Sequence, residues 1–151
     1  MNKVIALTGR VASGKSTALY AFGRLGARFL SLDHLLFYFD EEAGYNDRQT
    51  VSLTEKYIKQ FRDNSDDGIL VFEMSQWVVD ELHDLFDLIV VVESDAELRL
   101  SRLKNRSPYF THDSYVPKFE ANIVFDNNSD KASLWRQIED FYNGLLVAKT
   151  V

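Results

Sequence analysis

The chain has 151 residues, 46% of them apolar and 26% charged, with a net charge of −6 and no cysteine. That length fits one domain with a sizeable core, and the missing cysteines exclude a disulfide framework, a thiol nucleophile and a cysteine-ligated zinc site. The acidic balance argues against nonspecific binding to nucleic acid or anionic membranes, and with no secretory leader and no apolar run of membrane-spanning length a cytoplasmic location is the default expectation.

The first predicted strand is Val4–Thr8, a short apolar run of the kind buried in a parallel sheet. It leads into Gly9, four further residues (Arg10, Val11, Ala12 and Ser13), then Gly14-Lys15-Ser16-Thr17. This is the spacing of a phosphate-binding loop. Backbone N–H groups must point inward at an anion, and glycines remove the Cβ atoms that would stand in the way. Lys15 is expected to reach the β- and γ-phosphates and Ser16 to ligate Mg²⁺. A helix follows over Gly14–Leu25, aiming the positive end of its dipole at the phosphates, and Gly26 stops it.

The second strand, Arg28–Leu32, ends at Asp33. A carboxylate there can accept the proton of an attacking hydroxyl, ligate the metal, or cap the segment 34–39. The apolar, aromatic run 35–39 reads as core or as the lining of an acceptor pocket. A helix is predicted over Asn46–Asp63, followed by the polar turn 64–68 and a strand over Ile69–Glu73. An acid at that strand end is where phosphate-loop proteins hold Mg²⁺, and the alternative is a solvated carboxylate. The next helix, Ser75–Phe86, carries Gln76, the one candidate for positioning a water, and Trp77.

The fourth strand is Leu88–Glu93. Ser94 with Glu97 reads as a capping box for a helix over Asp95–Arg106. Arg99, Arg102 and Arg106 share one side of that helix. Asp95 accounts for Arg99 as an i,i+4 partner. Arg102 and Arg106 lie beside the polar loop 107–115 and suit the charge of a transferring phosphoryl group. A last strand over Asn122–Asp126 ends at Asp126-Asn127-Asn128, and a helix over Asp130–Leu146 presents Leu134, Ile138, Phe141 and Leu145 on one face. His34, His83 and His112 show no metal-ligand spacing.

Five strands alternating with helices predict a three-layer α/β/α domain with a five-stranded parallel sheet, spanning 1–151 without a linker. Ligands of such sheets bind at the carboxyl ends of the strands, and every predicted strand here ends in a candidate site group.

The stretches IALTGRVASGKST, AFGRLGARFLSLDHL, ELRLSRLKNR and ANIVFDNNSD resemble, in this order, the dephospho-coenzyme A kinases, a branch of the phosphate-loop nucleotide kinases. The resemblance implies ATP and Mg²⁺ as cofactors, Asp33 as catalytic base, Asp126 and Asn127 near the adenine, an acceptor-binding insertion over 34–68 and a lid over 99–120. The departures lie mostly on the acceptor side. The insertion and lid are about half the family's length, Ser31-Leu32-Asp33 keeps one of two usual acids, and Glu73 opens Glu-Met-Ser-Gln-Trp in place of Asp-x-Pro-Leu-Leu. In the loop, Arg10 and Ala12 stand where the family prefers glycine; uridine-kinase-like loops also carry alanine at Ala12.

The expectation is an ATP-dependent kinase. Its acceptor is dephospho-coenzyme A or a smaller nucleoside-like molecule bearing a hydroxyl. The alternatives are a nucleoside monophosphate kinase-like enzyme, a nucleotide-binding protein without transfer, and a hydrolytic switch. The oligomeric state is not legible.

Overall fold

The computed structural model describes residues 2–39, 47–64, 67–104 and 115–149. Their elements run β1 (Asn2–Gly9), α1 (Lys15–Arg24), β2 (Arg28–Ser31), α2 (Leu32–Phe39), α3 (Asp47–Asn64), β3 (Gly68–Glu73), α4 (Gln76–Leu82) with a 3₁₀ turn at His83–Leu85, β4 (Leu88–Glu93), α5 (Ala96–Lys104), β5 (Ile123–Asp126) and α6 (Lys131–Lys149).

All five strands are parallel, in the order β2-β3-β1-β4-β5. The register pairs Leu7 with Glu73 on one side of β1 and Gly9 with Val92 on the other. The strand ends that carry the candidate site groups therefore meet at one edge of the sheet.

Strand alternation builds the three layers. Ile5 and Leu7 of β1 pack with α1 and α6 through Ala18, Phe22, Leu134 and Ile138. Val4 and Ala6, on the opposite face, pack with α3 and α4 through Ile58, Phe61, Val78 and Val79. The apolar stripe read in the last helix is the one α6 buries. Phe22 is the hub of the first layer, meeting the rings of Phe125, Phe141 and Tyr142.

Three local expectations are corrected. The helix after β2 starts at Leu32, so Asp33 lies inside the first turn of α2 and is not its cap. The helix expected over 75–86 ends at Leu82 and tightens into the 3₁₀ turn. Ser94 does not cap the next helix: α5 starts at Ala96, one residue later than a cap at Ser94 requires, and the hydroxyl donates to the carbonyls of Ser13 and Asn127, at 3.0 and 2.8 Å, and accepts from Arg102. Tertiary partners outbid the local cap. Among the described residues, no helix is long and apolar enough to cross a membrane.

Candidate phosphate-binding and acceptor sites

The loop between β1 and α1 is shaped by three left-handed or near-left-handed residues: Gly9 (φ 154°), Ala12 (φ 63°) and Gly14 (φ 108°). Both glycines are also required by space. A Cβ on Gly9 would run into the Val92 carbonyl, and one on Gly14 into the Asn127 side-chain amide. Ala12 has no such freedom, and the left-handed region costs a non-glycine residue about 1–2 kcal/mol. Ala12, which stands where the resembled family prefers glycine, is thus a strained position.

Arg102 braces it. One Nη donates to the Ala12 carbonyl (2.8 Å) and to the Ser94 hydroxyl (2.9 Å), and the other to the Asn127 carbonyl (3.2 Å). Asn127 is buried and donates from Nδ2 to the Ser13 carbonyl (2.8 Å), while its own N–H bonds the Glu93 carbonyl (2.7 Å). The loop is thereby tied to β4, α5 and the end of β5. Ser94 belongs to this set and was read only as a cap; its place directly after β4, at the ligand edge of the sheet, was the available signal.

Gly14 caps α1 without a side-chain bond, and a helix start of this kind, with its orphan N–H groups, can hold phosphate. Lys15 begins that helix. It lines a small cavity of about 160 Å³ with Gly9, Val11, Ser75, Gln76, Trp77 and Tyr115. A larger one of about 450 Å³ opens between the loop and the ends of β4 and β5, with Arg10, Ser13, Gln76, Arg99, Asp126 and Asn128 among its walls. Arg99 donates from Nε to the Ser94 carbonyl at 3.2 Å rather than pairing with Asp95. Asp126 is exposed and fixed at its backbone by Gln137, through bonds of 3.0 and 2.8 Å.

A third cavity, of about 340 Å³, lies toward β2. Ser16 and Glu73 stand in its wall with Leu19, Tyr20, Phe29, Leu30, Ser31, His34 and Leu35. Glu73 is only 8% exposed and has no ion-pair partner among the described residues. A buried, unpaired carboxylate beside a hydroxyl is a donor set suited to a hard divalent cation. Asp33 is exposed and is not part of this wall. Arg106, like the loop 107–114, lies outside the described residues, as does His112.

The segment that returns toward β5 is anchored by an unforeseen residue. Asp80 of α4 accepts hydrogen bonds from the Tyr115 hydroxyl and from the backbone N–H groups of Lys118 and Phe119. Burial pushes the Asp80 carboxyl up, but these bonds and the Lys118 charge outweigh it and hold the group below its ordinary value. The same bond, then burial, pushes the Tyr115 phenol up to about 12. Nothing in the sequence separates Asp80 from any other acid on an amphipathic helix.

The chain is similar to a sugar kinase from Janibacter sp. HTCC2649, with a TM-score of 0.67 and 14% identity over 95% of each chain. It is similar to shikimate kinase from Acinetobacter baumannii in complex with shikimate, with a TM-score of 0.61 and 17% identity over 99% of this chain and 96% of that one. TT1252 from Thermus thermophilus gives a TM-score of 0.66 and 17% identity over 95% and 98%. The fold is shared with these sugar kinase and shikimate kinase structures. No protein-family model and no curated protein matches the sequence.

Proposed function

We infer that the protein is an ATP-dependent kinase that transfers the γ-phosphoryl group to a hydroxyl of a small molecule. One observation carries this reading. The phosphate loop, with Lys15 and Ser16 at the start of α1, adjoins a cavity whose wall carries both Ser16 and the buried Glu73. Residues Gly9 to Thr17 wrap the triphosphate, and Lys15 faces its β- and γ-phosphates. Ser16 and Glu73 would hold Mg²⁺, which neutralises phosphate charge when bound.

Asp126 and Asn127 belong to the adenine end of this reading. The wall that Asp126 contributes beyond the loop supports it, while Asn127 acts through the loop carbonyl it holds. Arg102 is first a brace, since its Nη groups are engaged on loop and β5 carbonyls. A contact with the transferring phosphoryl group requires it to leave them, and Arg106 is the second candidate for that contact.

Size and polarity bear on the acceptor. The cavity at Ser16 and Glu73 has about 340 Å³ and a mainly apolar wall with no Lys or Arg among its described residues. A nucleoside-sized hydroxyl compound fits it better than dephospho-coenzyme A, whose phosphates need cationic partners. Asp33 is the base in this reading, reaching the hydroxyl from the first turn of α2. A nucleotide-binding protein without transfer is the second reading, favoured by the exposure of Asp33 outside the cavity wall.

ATP turnover with Mg²⁺, with and without a panel of nucleosides, sugars, shikimate and dephospho-coenzyme A, tests the proposal. Stimulation by one acceptor supports it. Turnover indifferent to every acceptor indicates a hydrolase, and ATP binding without turnover indicates the second reading.

A further inference from the structure

Among the described residues, three buried side-chain atoms have no hydrogen-bond partner: the Thr8 hydroxyl, the Ser13 hydroxyl and Nε2 of Gln76. All three surround the phosphate loop. A buried, unpaired donor costs stability, about 1–3 kcal/mol for a neutral group, and folded proteins rarely keep one without a reason. Gln76 is the most informative of the three. It is 7% exposed, yet it lines both cavities that flank the loop. One of these cavities it lines together with Lys15, the other together with Arg10 and Ser13.

Its backbone is firmly held. Met74 donates to the Leu7 carbonyl at 3.0 Å, which fixes the exit of β3. Val78 and Val79, just beyond, are fully buried in the second core layer. The amide is thus a pre-positioned donor with nothing to donate to, close to the lysine that faces the terminal phosphates. Tyr115, held by Asp80, closes the same small cavity from the other side.

The geometry points to Gln76 as a direct contact of the nucleotide: its amide donates to an oxygen of the ATP γ-phosphoryl group. This rests on the phosphate-loop reading above and adds to it a residue that distinguishes ATP from ADP. The apo protein bears the cost of the empty donor, and the triphosphate removes it. ADP, which lacks the γ-phosphate, leaves the amide unpaired.

Two consequences of opposite sign follow, and a merely structural glutamine would give neither. Gln76→Leu is near in size and removes the unpaired group, so the free protein should melt at the same temperature or higher. The same variant should lose about tenfold to a hundredfold in ATP affinity, the worth of one hydrogen bond to a charged group, while ADP affinity holds. Calorimetric titration of wild type and variant with ADP and with the non-hydrolysable analogue AMP-PNP, in Mg²⁺, reads the ratio directly. Gln76→Asn, which keeps the amide but withdraws it by one methylene, is the second variant should leucine fail to fold. It should show the same selective loss.

An unchanged ratio in the folded variants overturns the assignment, and so does a parallel loss of ADP and AMP-PNP binding, which is the mark of a distorted loop. If wild type binds neither nucleotide, the phosphate-loop reading itself has failed. If wild type binds both and only the Gln76 variants behave otherwise than expected, this inference alone has failed.

Discussion

The two sides of the sheet's ligand edge are built differently. On the donor side the loop is cross-linked: Asn127 and Ser94 hold the Ser13 carbonyl, Arg102 holds the Ala12 carbonyl, and Gly9 and Gly14 bring the backbone against β4 and Asn127. On the acceptor side, Asp33 is exposed and the cavity wall includes Tyr20 and Phe29, which are 59% and 51% exposed. A triphosphate is recognised by backbone N–H groups, which serve only if the chain fixes them beforehand. An acceptor is recognised by side chains, which need no such scaffold until it arrives. The contrast implies that changes to the residues bracing the loop damage binding and fold together, whereas changes to side chains that only face a ligand damage binding or transfer alone.

The largest effect is expected at Lys15. Lys15→Ala should abolish measurable ATP turnover with the fold intact, because in the proposed function it removes the cation at the β- and γ-phosphates. Unchanged ATP binding and turnover, by calorimetry and a coupled assay, would break the donor half of the comparison.

Asp33 tests the other half. With an alcohol acceptor, Asp33→Asn should lower single-turnover rates by about two to four orders of magnitude and leave ATP affinity alone. Its stability effect should stay within about 1 kcal/mol, the range for a first-turn carboxylate facing a helix dipole. Full activity in this variant would remove the base and shift preference to an acceptor that is already ionised.

Arg102 sharpens the comparison, since it is placed as a brace. Arg102→Ala should reduce ATP affinity and turnover together by about tenfold, and lower stability by about 2 kcal/mol, as a lost charged hydrogen bond does. A fall in turnover with ATP affinity and melting unchanged would instead put the guanidinium on the transferring phosphoryl group.

Asp80 ties the two halves together through 115–119. Its pKa lies below the ordinary 3.8, so this anchor is complete above that pH and is lost as pH falls through the lowered value. Tyr115 titrates at about 12 against an ordinary 10.0, so its contribution holds below pH 10 and disappears as pH rises through 12. Asp80→Asn should bring the phenol back toward 10.0, read by ultraviolet absorbance. A Tyr115 titration unmoved by that change would detach the segment from α4.

The smallest effect is expected at Ala12. Glycine relieves the left-handed strain but adds freedom to the unfolded chain, so Ala12→Gly should stabilise by about 0.5 kcal/mol. Urea denaturation that shows a loss larger than that would mean the alanine packs to better advantage than its φ suggests.

The sequence by itself determined the five-stranded parallel sheet, the helices that flank it and the glycine-shaped loop after β1. Strand and helix periods are local properties of side chains, and a phosphate loop needs glycines at fixed spacing whatever surrounds it. It also marked the strand-end groups, because a parallel sheet delivers all its carboxyl ends to one edge. Only the tertiary structure decided what those groups touch. Ser94 abandoned its local cap for the Ser13 and Asn127 carbonyls, Arg102 turned to the loop, Asp80 took three donors from a distant segment, and Gln76 was buried without a partner. Each of these depends on contacts across 25 to 90 positions of chain or on burial set by the whole core, and no local pattern in the sequence encodes such distances.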